Sequence, residues 1–158
     1  MNQPVRPAAS VVPLLALCLL AGCGTGRGTE SLSPVAEVYR TELSEIAEPG
    51  VWIVADAEAW EGWWPRVAPE GPAEAPEAHF GREMLVVAAT GPGSPEAPAI
   101  GFDGYAMRGD TLVVLVRWTH PAAGCPVADL SARTAVVGRV PRPGGPVLLV
   151  RLRATRTC

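Results

Sequence analysis

Apolar and polar positions divide this chain into short runs separated by glycine- and proline-rich breaks. Residues 84–89 (Met-Leu-Val-Val-Ala-Ala) are apolar throughout, the pattern of a central strand buried on both faces. Residues 111–118 (Thr-Leu-Val-Val-Leu-Val-Arg-Trp) form the clearest strand signal. Gly109-Asp110 just before it reads as a tight turn, which predicts a hairpin with a weaker strand over 99–106. Further strands are predicted over 50–55, centred on Val-Trp-Ile-Val, over 134–140 and over 147–154. In the last of these Leu148, Val150, Leu152 and Ala154 alternate with Arg151 and Arg153. Strand parity then predicts the apolar set toward a core and the two arginines away from it. Residues 35–47 carry Val35, Val38, Leu43 and Ile46 at no clear period, which leaves a short helix and an early strand both open.

One helix is predicted. Asp56 is placed to cap it, Glu58 lies in the first turn where the helix dipole favours an acid, and Trp60, Trp63 and Trp64 fall at i, i+3 and i+4 on one face. Pro65 is expected to stop it soon afterwards. An aromatic face of this kind serves either to dock the helix on a sheet or to hold a ligand such as a glycan, and docking is the simpler reading. Residues 68–78, 91–98, 120–126 and 142–146 are rich in Pro and Gly and read as loops. Together these patterns predict one α+β domain over 35–158: a mainly antiparallel β sheet of about six strands with one Trp-rich helix packed on it.

The N-terminal stretch differs from the rest. Residues 2–10 are polar with Arg6, and residues 11–21 are an apolar run. That run is shorter than the ~20 residues a helix needs to cross a bilayer, but it has the length of a signal-peptide core. It ends in Leu20-Ala21-Gly22-Cys23, which resembles the lipobox of bacterial lipoproteins. The resemblance implies removal of residues 1–22 as a signal peptide, lipid on Cys23, and attachment to a membrane through that lipid. Residues 23–34, polar and glycine-rich, are then a flexible lipidated tether. Gly24 is not the aspartate that retains such proteins at an inner membrane, so the expected location is the cell envelope, with the periplasmic side of the outer membrane favoured.

Export changes the reading of the cysteines. Cys18 leaves with the signal and Cys23 takes lipid, so Cys125 and Cys158 remain in an oxidising setting and are expected to form a disulfide. With neither a Cys-x-x-Cys pattern nor a lysine to lower a thiol pKa, a redox-active pair is not indicated.

Charge adds a polarity. From Cys23 to Ile100 there are 13 acids and 4 arginines, and from Gly101 to Cys158 there are 3 acids and 8 arginines. All basic residues are arginine, as codon usage in a GC-rich genome favours, and no pattern points to nucleic acid. Arg151 and Arg153 share a strand face, Arg133 and Arg139 could share one on the preceding strand, and Arg117 could lie near them. This set is either a solvated sheet face or a basic docking surface for an acidic partner or anionic head groups.

Catalytic patterns are not found: no Gly-x-Ser-x-Gly, no phosphate-binding glycine loop after a strand, no His-Glu-x-x-His. His79, His120, Cys125 and Asp129 have no metal-ligand spacing, and Glu58 with Glu61 reads as a solvated helix face. The expectation is a protein that is not an enzyme and holds no metal or other cofactor.

The order of these segments is similar to that of the PrcB-type domain, described as a protease complex subunit. The residues that carry the resemblance are Asp-Ala-Glu-Ala-Trp-Glu-Gly-Trp-Trp (56–64), His-Phe-Gly-Arg-Glu-Met-Leu-Val-Val-Ala-Ala-Thr-Gly (79–91), Gly-Asp-Thr-Leu-Val-Val-Leu-Val (109–116) and His-Pro-Ala-Ala-Gly-Cys (120–125), followed by two closing strands. The chain departs from the family at His79, where relatives tend to have aspartate, and at residues 93–98, where a Thr-Gly-Gly-Tyr-like turn is missing. The resemblance implies a lipid-anchored accessory module that binds or stabilises an exported protease. The alternative is a small protease-inhibitor-like domain that presents the 91–98 and 121–126 loops.

Overall fold

A computed structural model describes residues 31–92, 99–125 and 132–158. Its elements are β1 (Ala36–Thr41), β2 (Gly50–Val54), α1 (Ala57–Val67), β3 (Glu83–Ala89), β4 (Ala99–Arg108), β5 (Thr111–Pro121), β6 (Ala135–Pro141) and β7 (Val147–Arg156). The fold is α+β and sheet-dominated, but seven strands rather than six are present among the described residues, and they form two sheets rather than one. One sheet has the order β1-β6-β3-β2 and the other β4-β5-β7.

The layering follows from strand parity. On β3, Leu85, Val87 and Ala89 face α1 and join a core with Trp60, Trp64 and Val67. Met84, Val86 and Ala88 face the other way and join a second core with Leu112, Val114, Val116 and Trp118 of β5. The helix, the four-stranded sheet and the three-stranded sheet therefore stack in that order. This explains the unbroken apolar run of β3, which is buried on both faces along nearly its whole length.

The helix starts as expected. Asp56 has extended φ/ψ, and its Oδ1 accepts a hydrogen bond from the Ala59 N–H at 2.8 Å. It ends soon after Pro65, at Val67. A proline in the last turn removes only one donor, the Ala68 N–H still reaches the Trp64 carbonyl at 2.9 Å, and burial of Trp64 and Val67 favours the extra turn. The tryptophans are core rather than platform. Trp60 and Trp64 are buried, and their indole N–H groups donate to the carbonyls of Pro76 and Pro72, each at 3.1 Å. Those bonds fasten the proline-rich loop over the helix.

Three further features refine the sequence reading. The ambiguous stretch 35–47 contains β1, whose register shifts between Glu37 and Tyr39. That irregularity leaves Val38 and Tyr39, adjacent in sequence, both packed on the helix-side core, so the alternation expected of a strand is broken. Secondly, Ser33 is not free tether: it exchanges backbone hydrogen bonds with Tyr105, both at 2.8 Å. Thirdly, β7 does not pair with β6. The turn between them carries the chain from one sheet to the other, and β7 lies parallel to β5 over ten residue pairs, from Leu112↔Val147 to Pro121↔Arg156.

Candidate functional site

The parallel register of β5 and β7 decides which way the last strand faces. Leu112, Val114 and Val116 of β5 point into the inter-sheet core, and their partners on β7 are Val147, Leu149 and Arg151. Val147 and Leu149 pack against that core, so Arg151 and Arg153 lie on the core-facing side of β7 at the end where the core runs out. The sequence expectation for this strand is thus reversed. Both arginines are exposed, and the guanidinium of Arg151 covers the buried Trp118 ring, with Cζ 4.3 Å from its centroid.

The other three arginines lie elsewhere. Arg117 is on the outer face of the three-stranded sheet, where Nε and an amino nitrogen meet both carboxylate oxygens of Asp103 at 3.1 and 2.8 Å. Arg139 is in the four-stranded sheet on the helix side. It donates to the Glu77 carbonyl at 2.6 Å, and its buried Nε lies 3.4 Å from Glu83 without a hydrogen bond. Arg133 is exposed just before β6, and its N–H donates to the Glu42 carbonyl at 2.8 Å. Arg151 and Arg153 are brought together, but the five do not form one face. β6 and β7 belong to different sheets, which is why a continuous basic strip across them does not exist.

The surface that parity reasoning missed is the outer face of the three-stranded sheet. Leu148, Val150 and Leu152 pair there with Val113, Leu115 and Arg117, and Ala106 of β4 pairs with Val113. Leu148 is 52% exposed. Leu32 lies on the same side but at the opposite edge of the sheet, beyond β4: Ser33 pairs with the core-facing Tyr105, so its neighbour Leu32 points outward, against Gly104, and is 43% exposed. The signal was present as the Leu148-x-Val150-x-Leu152 alternation. Alternation marks an apolar face but does not say whether another layer covers it.

Charge sorts by layer. The helix, its cap and the loop after it carry Asp56, Glu58, Glu61, Glu70, Glu74 and Glu77 against Arg66 and Arg82. The strands of the outer sheet carry Arg108, Arg117, Arg151, Arg153 and Arg156 against Asp103. The molecule is therefore acidic at its helix layer and basic at the opposite layer.

Cys125 and Cys158 are bonded, with S–S 2.02 Å and Cα atoms 5.6 Å apart. The bridge joins the residues that follow β5 and β7 and clamps the ends of that parallel pair. His79 is exposed. Its backbone N–H donates to Glu83 at 2.6 Å, and its ring lies 4.0 Å from Glu77. His120 is exposed at the end of β5. No group of three or more His, Cys, Asp or Glu is gathered for a metal among the described residues, and Asp129 lies outside them. Cys23, residues 93–98 of one proposed inhibitory loop and Pro126 of the other also lie outside them. A cleft of 280 Å³ where the sheets diverge is lined by Pro34, Ala36, Arg82, Glu83, Tyr105 and Arg139. No helix among the described residues is long and apolar enough to cross a membrane. No protein-family model matches the chain, and neither a curated protein nor a solved structure matches it.

Proposed function

We propose that this chain is a lipid-anchored accessory module of the cell envelope that binds, and so stabilises, an exported protease. The observation that carries the anchoring is Leu20-Ala21-Gly22-Cys23 at the end of an apolar run of signal-peptide length. The Cys125–Cys158 bridge agrees with it, because such bonds persist in oxidising compartments outside the cytosol. The accessory role rests on the likeness of residues 51–150 to the PrcB-type domain. Periplasmic exposure at the outer membrane follows from Gly24 in place of a retention signal.

Two measurements test this. Metabolic labelling with radioactive fatty acid is expected to mark the wild-type chain and not Cys23→Ala, which should accumulate as uncleaved precursor. Label on the variant refutes the anchor. Co-expression with the exported proteases of its host, followed by recovery and turnover assays, tests the partner. An accessory module raises the amount of active protease at unchanged turnover. Suppressed turnover assigns the protein to the inhibitor class instead.

A further inference from the structure

Four strands lie at the edges of the two sheets, and three of those edges are protected against further pairing. β2 is only five residues long, β1 carries a register shift, and β4 exchanges backbone hydrogen bonds with Ser33 on its outer side. β7 has none of these devices. It runs for ten residues in unbroken register with β5, and no strand lies on its other side among the described residues. The register fixes which backbone groups are open. The Leu112 N–H donates to the Pro146 carbonyl and the Ala122 N–H to the Arg156 carbonyl, so even-numbered residues of β7 turn their N–H and C=O toward β5. Odd-numbered residues, Leu149, Arg151 and Arg153 among them, turn theirs to the open edge. The side chains of Arg151 and Arg153 are exposed on one face of that edge, and neither has a carboxylate partner among the described residues. The Trp118 ring steadies the Arg151 guanidinium, whose N–H donors remain for a carboxylate.

We propose that the open edge of β7 takes up an extended segment of a protein partner as a further strand, with acidic side chains two residues apart facing Arg151 and Arg153. Backbone hydrogen bonds to the odd-numbered residues hold the segment, and the two ion pairs set its register. The side chains between its acids lie on the other face, beside Val150 and Leu152, where apolar residues fit. A second copy of this chain is the poorer occupant. Odd-numbered residues would pair with odd-numbered residues across an antiparallel β7–β7 contact. Centring that contact on β7 sets Arg151 opposite Arg151 or Arg153, and like charges directly opposite are destabilising. The partner's identity rests on the accessory role proposed above: the segment is part of the exported protease.

The test mixes the full chain with two capped heptapeptides, one alternating valine with glutamate and one alternating valine with lysine, and follows hydrogen exchange at single residues by NMR. The glutamate peptide is expected to slow exchange of the Leu149, Arg151 and Arg153 N–H groups severalfold, and the lysine peptide to leave them unchanged. The Val150 and Leu152 N–H groups, turned toward β5, should exchange slowly throughout. Arg151→Glu with Arg153→Glu should reverse the preference, and binding of the lysine peptide then shows that the variant is folded. Arg153→Glu alone, which leaves Arg151 on Trp118, should weaken binding of the glutamate peptide severalfold. Equal responses to both peptides, or none to either, overturn the proposal. Slow exchange at the edge that appears without peptide and rises with protein concentration assigns it to a second copy, which also overturns the proposal. Co-expression of Arg153→Pro with the exported proteases of the host separates this contact from the accessory role, because the variant loses an edge N–H and one arginine but no bond to β5. It is expected to lose the gain in active protease that the wild type gives. If variant and wild type stabilise a protease alike, the accessory role stands and this contact falls. If the wild type stabilises none while the glutamate peptide binds, the accessory role falls and the edge site stands.

Discussion

Arg151 lies over the ring of Trp118 with its guanidinium carbon 4.3 Å from the ring centroid, across neighbouring parallel strands. Trp118 is 4% exposed, and its indole N–H finds no hydrogen-bond partner, so the arginine is the polar cover of an otherwise apolar core edge. The contact combines cation–π attraction with packing of the aliphatic stem. Arg151→Ser is expected to lower stability by about 1 kcal/mol, from the lost contact and the newly wetted ring. Arg153→Ser, on the same strand and exposed, should stay within about 0.5 kcal/mol of wild type. Urea unfolding of the two single variants separates them, and equal effects would refute a role for the Trp118 contact. Arg151→Lys should fall between, because a lysine keeps the charge but not the flat stack.

Asp56 sets where α1 begins, through the 2.8 Å bond from the Ala59 N–H. Asp56→Ala leaves that donor without its side-chain acceptor and is expected to cost about 1 kcal/mol, while Asp56→Asn, which retains a capping oxygen, should cost clearly less. Thermal unfolding of the two variants checks the order. The predicted difference vanishes if the cap contributes nothing to the folded state.

The local signals in the sequence were strong where one side chain or one run decides the outcome. Asp56 and the spacing of Trp60, Trp63 and Trp64 locate the helix. The unbroken run of β3 marks the shared central strand, and Gly109, at φ +64°, turns the β4–β5 hairpin. What could not be read was which strand lies beside which. The Pro- and Gly-rich turn at 142–146 has the length of a hairpin loop, yet it passes the chain between sheets and leaves β7 parallel to β5. That single choice reverses the faces of β7. Val147 and Leu149 supply its buried contact, and the longer apolar set at Leu148, Val150 and Leu152 is turned outward. The expectation of one basic face failed for the same reason, because its arginines were assigned to strands assumed to be neighbours. β1 stayed ambiguous because its register shift places Val38 and Tyr39 against the same core.

Cys125 and Cys158 are separated by 33 positions, and the bridge closes the loop that contains β6 and β7. It reinforces a backbone bond from the Ala122 N–H to the Arg156 carbonyl at 3.0 Å, just beyond the last strand pair. Reduction, or Cys125→Ser with Cys158→Ser, is expected to cost about 3–4 kcal/mol through the greater freedom of the unfolded chain. Denatured protein kept from reductant should show no free thiol from this pair. Alkylation of both cysteines under those conditions would rule the bond out.

Two glycines give opposite predictions for the same substitution. Gly138 lies in β6 where the two sheets meet. A Cβ built there would overlap the side chain of Val35 and come within 2.7 Å of the Phe102 ring of β4. The missing side chain is what lets Phe102 and Val35 close over the four-stranded sheet. Gly138→Ala must push both aside in a packed core and is expected to destabilise by about 1–3 kcal/mol. Gly62 lies inside α1, and a Cβ there meets no atom within 4 Å. Gly62→Ala removes backbone freedom from the unfolded chain and adds helix propensity, so it should stabilise by roughly 0.5–1 kcal/mol. The substitution adds one methyl group in both cases, so differences in sign come from the surroundings and not from the residue introduced. Paired urea titrations of the two variants give both midpoints. If Gly138→Ala proves neutral, the close approach of Phe102 and Val35 to β6 is wrong. If Gly62→Ala destabilises, the open space around that helix face is wrong.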